Sequence, residues 1–295
     1  MSLQYLRKVR LTAVGSSGLV INAGQGGGED LKIGFSVSRS LSSSANDASI
    51  QIWNLSEGHR NAMGRELEDV RLEAGYLPPD GDDQTGVIFA GQIREVRHEK
   101  QDGDIITTLD CGDGDRALRR ADVSKTFPAG TPVQDVIDYV RGRFEEYGVT
   151  TGEVVLSDKA RGAFARPYSM AGPARREMDR LGRATRSYWS LQNGTFEMIP
   201  GDGYIGTILR FDAATGLIGV PTITDNGVSA EVLLNPEIRP GRRVQIVSEH
   251  CEVPGEDNIV RVSAVTFAGD NRDGNFIARI EGEAVSGGKV DEGER

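Results

Sequence analysis

Apolar and polar positions alternate over short runs near both ends of the chain, and the period lengthens in the middle. Tyr5–Val14 and Leu19–Asn22 read as strands around a Gly15-Ser-Ser-Gly18 turn, where glycine supplies positive φ cheaply. Gln25–Gly28 is a glycine loop. Leu31, Ile33, Phe35 and Val37 alternate with polar or small residues, as in a half-buried strand. A Ser-rich loop over 38–47 precedes a first series: Ala48–Asn54, Val70–Ala74, Val87–Val96 and Ile105–Cys111. Ser56 can cap a short helix through about Leu67. A second series near the other end has the same order: Ala230–Asn235, Val244–Ser248, Ile259–Phe267 and Phe276–Gly282. In both, a polar turn precedes the last strand, Gln101–Asp104 in one and Asp270–Gly274 in the other. The spacing is too long for a solenoid, so the pattern predicts one β-module used twice. Identity between the copies is low, and a chance likeness of β-rich segments is the alternative.

Between the two series the period becomes helical. Thr131-Pro-Val-Gln134 is a helix start, with Thr131 as cap, Pro132 in the first helical position and Gln134 closing a capping box. Val133, Val136, Ile137, Val140, Phe144 and Tyr147 fall on one face, and Gly148 is placed to stop the helix. A second helix starts at Pro173 with a stripe of Ala174, Met178, Leu181 and Thr185. Two short strands, Ser187–Gln192 and Thr195–Pro200, flank Asn193-Gly194, a strong hairpin signal. The predicted fold is mainly β with an α+β insert: a first module over 1–118, the insert over 119–205, a second module over 206–285 and a disordered tail over 286–295.

Composition places this among soluble globular proteins of about two domains: 295 residues, 38% hydrophobic and 26% charged. No run approaches a membrane span, and the N-terminus lacks the apolar core of a signal peptide. Cys111 and Cys251 give neither a zinc pattern nor a disulfide framework, which fits synthesis in a reducing cytosol. The net charge of −10 is uneven. Residues 116–200 hold 14 Lys and Arg against 10 Asp and Glu, leaving 20 against 34 elsewhere. Acidic β-modules argue against a DNA-affinity protein. Arg175, Arg176, Arg180, Arg183 and Arg186 form the one basic patch, read most simply as a solvated helix face.

No catalytic, cofactor or metal site emerges. His59, His98 and His250 are scattered, and neighbouring His250 and Cys251 lack a third partner. The 80–86 run lacks the calcium-loop ligand at its fifth position and the glycine at its sixth. Asp110, Asp113 and Asp115 read as a turn leaving the last strand of the first series. Acidic residues abound, so carboxylates for glycoside hydrolysis stay open, but nothing marks a pair. Asn54-Leu-Ser56 and Asn193-Gly-Thr195 match glycosylation sequons, which mean nothing without secretion.

Certain runs carry a resemblance. Asn46–Ser56, Leu72–Tyr76 and Ile88–Gln92 resemble the first domain of tailed-bacteriophage baseplate hub proteins. Gly216–Pro221, Leu234–Pro236, Arg239–Gly241 and Gly269–Asn271 resemble the closing domain of that family. The runs lie in order, cover most of 31–285 and include no catalytic motif. The resemblance implies two tail-tube-like β-barrels with a small α/β domain, three copies forming a ring, and no enzymatic activity or cofactor. It implies a hexameric tail tube and a trimeric central spike as partners, among other baseplate proteins. It also implies a place in the virion baseplate after synthesis in the host cytoplasm, with wall-degrading activity on separate chains. Fixed anions would let DNA pass a lumen without sticking, although ordinary solubility explains the charge equally well. A phage tail and a related contractile injection machine both fit. The alternatives are a tail-tube or distal-tail ring protein and, from another class, a cell-wall-degrading enzyme on β-domains.

Overall fold

The first alternating series folds much as its periodicity requires. The computed structural model describes residues 6–24, 30–78, 83–225 and 227–284. The 25–28 loop, the first three residues of the 80–86 run and the 286–295 tail fall outside them. β1 (Arg7–Gly15) and β2 (Gly18–Ala23) form the expected hairpin. Their glycines act otherwise than expected, since neither has positive φ. Gly15 instead lies against Glu66, whose carbonyl oxygen would sit 1.9 Å from any Cβ. β3 (Ile33–Ser40) buries Ile33, Phe35 and Val37 and continues inward with Arg39. β4 (Asp47–Trp53) follows. Ser56 then caps α1 (Glu57–Ala62) by accepting the His59 amide. The helix is shorter than expected because left-handed Gly64 and then β5 (Leu67–Tyr76) take the residues beyond it. β6 (Gly86–Gln101) and β7 (Asp104–Gly112) meet at Asp102-Gly103, both at positive φ.

The middle contains α2 (Asp115–Arg120), β8 (Asp122–Phe127), α3 (Val133–Glu145), β9 (Thr150–Val154), β10 (Tyr168–Pro173), α4 (Ala174–Thr185), β11 (Ser187–Gln192) and β12 (Thr195–Pro200). The stripes predicted for α3 and α4 are buried, apart from half-buried Tyr147. Thr131 does not cap α3: its hydroxyl donates to the Pro128 carbonyl at 2.8 Å, and Pro132 takes the cap position. The Asn193-Gly194 turn has both residues at positive φ, matching the twist of β11 and β12. These elements have their own core, in which Phe144 stacks on Trp189 at 5.6 Å.

The last part adds β13 (Ile205–Phe211), β14 (Leu217–Thr224), β15 (Gly227–Leu233), β16 (Arg242–Ile246), β17 (Ile259–Asp270) and β18 (Phe276–Glu283). The antiparallel order β3-β4-β7-β6-β5 recurs as β14-β15-β18-β17-β16. Both copies carry a bulge at the same point. β6 slips by one residue between Ile93 and Glu95 opposite Cys111, and β17 between Val262 and Ala264 opposite Gly282. The correspondence puts Val70 and Leu72 on Val244 and Ile246, all buried. Flanking strands differ: β5 continues to antiparallel β1, whereas β16 continues to parallel β13. In β14, Pro221 sits within an irregularity between Ile218 and Thr222.

The described ladders join the two copies instead of closing a barrel in each. β17 pairs with β3 from Ala264–Ser40 to Asp270–Gly34, so one 13-stranded sheet and one core span both ends. A 12-residue strand has the length to serve two neighbours, and its bulge bends it between them. The first part of β17 pairs with β16 and the second with β3.

Candidate assembly interface

The insert hairpin is seated on the first module by a buried polar clasp. Asp113 is fully buried and accepts the amides of Asn193 at 2.5 Å and Gly194 at 2.7 Å. Asn46 reaches Asp113 at 3.3 Å and the Leu191 carbonyl at 2.6 Å. Arg39 donates twice to Gln192 Oε1, at 3.1 and 3.0 Å, while Gln192 donates to the Ser40 carbonyl at 2.8 Å. Burial pushes the Asp113 carboxyl pKa up, against the pull of the Gly194 and Asn193 amides and of Arg39. Burial also draws the Arg39 guanidinium down to about 10, opposed by Asp113. A carboxylate so enclosed cannot reach an external substrate; it organises backbone.

The second module holds the insert by charge. Arg242 forks onto Glu197, with Nη2 to Oε1 at 2.9 Å. Arg261, 2% exposed, pairs with Glu283 and donates to the Gly203 carbonyl at 2.5 Å.

The residues singled out in the sequence are not assembled into a reaction centre. His59 and His250 are exposed, and His98 lies on β6 beside the Thr107 hydroxyl at 3.1 Å. Cys111 is free and buried, its thiol pushed up to about 12 by burial and then by Asp110. Asp110 binds Arg97 at 2.6 Å, and Asp115 binds Arg94 at 3.1 Å. Among the described residues no three His, Cys, Asp or Glu side chains are placed to hold a metal, and no helix is long and apolar enough to cross a membrane. Arg176, Arg180, Arg183 and Arg186 of the basic run are exposed. Arg183 and Arg186 border an open pocket of about 400 Å³ with Asp179, Trp189 and Leu41.

Exposed apolar side chains instead gather at the two ends of the sheet: Val20 on edge strand β2 with Val14 beside it on β1, and Ile218, Val220 and Ile223 on β14. Apolar side chains on an edge strand, one side of which is open, offer both backbone and hydrophobic surface to a neighbour. The chemistry available is protein–protein association.

The model of the family described as Baseplate hub gp41 matches residues 17–282. The chain belongs to this baseplate hub family. Its fold is similar to that of the 43 kDa tail protein of prophage MuSo2 from Shewanella oneidensis, at TM-score 0.62 and 10% identity, over 94% of this chain and 97% of that one. The tail protein from Neisseria meningitidis MC58 is similar at TM-score 0.59 and 12% identity, over 95% and 97%. So is the E. coli c3393 protein, a type VI secretion component described as similar to T4 tail proteins gp27 and gp5, at TM-score 0.57 and 12% identity, over 89% and 76%. No curated protein matches the sequence. The protein is thus a structural baseplate component with a mainly β fold and a smaller α/β portion.

Proposed function

We propose that three copies of this hub protein form a ring that adapts a sixfold tail tube to a threefold central spike. The observation that carries this reading is the duplicated five-strand order with its duplicated bulge. Two like modules, 1–118 and 206–285, present six similar faces when repeated three times, which is what a symmetry adaptor requires. Each module completes a tube-like barrel only within the ring. The 119–205 insert lies outside, where its exposed arginines meet other baseplate proteins. The excess of acidic residues outside 116–200 supports a lumen through which DNA passes without specific binding. The protein works in the virion baseplate after synthesis in the host cytoplasm.

Native mass spectrometry and cryo-electron microscopy of the purified chain test this. The expected result is a particle of three 31.8 kDa chains with the modules alternating around the axis. A stable dimer, or a ring in which like modules adjoin, refutes it.

A further inference from the structure

The seam between the two copies is used once within the chain, and its counterpart is left open. In β17, residues 264–270 are covered by β3. The equivalent stretch of β6, Glu95–Gln101, pairs with β7 alone among the described residues. Val265 and Phe267 are buried, whereas the β6 stretch is exposed except for half-buried Val96. A groove of about 370 Å³ runs along this edge, lined by Arg60, Met63, Glu95, Val96 and His98.

The strand equivalent to β3 is β14, which ends the sheet and, among the described residues, pairs only with β15. Ile223 occupies the place of Val37, since each faces the inward side of the next strand, at Val228 and Ala48 respectively. Yet Val37 is fully buried and Ile223 is 47% exposed. The chain's own β14 cannot supply the cover, because β15, β18, β17, β3, β4 and β7 stand between it and β6.

We infer that β14 of one copy adds to the free edge of β6 in the next, repeating between copies the seam that β3 makes with β17 within one. This rests on the ring reading above and gives it a register. The internal seam sets Thr266 against Ser38, Phe267 against Val37 and Ala268 against Ser36. The equivalent residues set Arg97 against Thr224, His98 against Ile223 and Glu99 against Thr222. Ile223 then closes over Val96, and backbone donors and acceptors on both edges find partners. The contact is heterologous, using different surfaces on the two copies, so it propagates around a ring and not across a twofold axis.

The test is oxidative cross-linking of the full chain carrying Arg97→Cys and Thr224→Cys, beside the register control Arg97→Cys with Thr222→Cys. The matched pair should yield covalent dimers and trimers on denaturing gels, at about tenfold the yield of the control. Single-cysteine variants account for Cys111 and Cys251. A particle with the mass of a trimer but no preferential cross-link overturns the pairing and leaves the ring standing. A chain that remains monomeric overturns both. Ile223→Lys, at an exposed position, should leave the melting temperature nearly unchanged and weaken association about tenfold or more, because an edge lysine blocks strand addition. Undiminished association of a folded Ile223→Lys variant also overturns the pairing.

Discussion

The insert is tied to the two modules by different means. Toward the first module, Asp113 reads two backbone amides of one left-handed turn inside a fully buried network. Toward the second, Arg242–Glu197 is a side-chain fork that matches charge and planarity, and Arg261, paired with Glu283 of its own module, reaches the Gly203 carbonyl. The first tie demands a particular backbone shape, and few other turns would satisfy it. The second tolerates shifts of backbone provided the two long side chains still meet. The insert is therefore fixed in position by the first module and held against it by the second.

The sharpest way to break this contrast is Asp113→Ala. It leaves the Asn193 and Gly194 amides without their acceptor and Arg39 without its main countercharge, while Asn46 keeps its bond to the Leu191 carbonyl. The expected loss is about 4 kcal/mol in denaturant unfolding. A loss below about 1 kcal/mol would mean that the clasp is incidental. Arg242→Met should cost about 3 kcal/mol by stranding Glu197, while Arg242→Met with Glu197→Leu should recover most of it, since a packed apolar pair can replace a buried ion pair. If the double variant is no better than the single, the tie depends on charge in a way its geometry does not require.

The clasp should also carry a pH signature. Burial raises the Asp113 pKa, so the folded state keeps its proton to higher pH than the unfolded chain. That contribution to stability is complete below the ordinary Asp range and is lost as pH rises through the raised folded value. Asp113→Asn, although less stable overall, should show a flatter stability profile as pH rises above the ordinary Asp range, measured by thermal melts. Parallel profiles would mean that Asp113 does not titrate differently in the two states. The smallest effect is expected from Gly194→Ala. The position has φ of 76° with open space around it, so only backbone strain of about 1 kcal/mol is at issue.

Much of this fold can be read from local patterns, and the parts that cannot share a cause. Asn193-Gly194 announces its hairpin because only a few residue pairs accept two successive positive φ angles. The repeat is legible because Val70-Arg-Leu and Val244-Gln-Ile present the same inward positions. Arg39 escapes notice because alternation is read from apolar residues, and here a charged side chain occupies an inward position, supported by Gln192 from far along the chain. Asp113 looks like a turn residue for the same reason: its donors lie 80 positions away. The Thr131 hydroxyl donates to the nearby Pro128 carbonyl instead of accepting the helix amides that the capping pattern offered. The parallel pairing of β13 with β16 and the β3–β17 seam leave no local signal, because each is decided by the packing of distant segments.

Strand β14 also sets a hazard. Left open, the edge exposes Ile218, Val220 and Ile223 and carries no charged residue from Leu217 to Thr224. Such a strand is a template for indiscriminate strand addition. Pro221 interrupts it midway, removing one backbone donor and accompanying an irregular register. An incoming strand of arbitrary sequence therefore meets a broken ladder and finds only a short run to grip. The same interruption that makes the edge a poor amyloid seed leaves its last three residues, Thr222–Thr224, regular enough to be recognised.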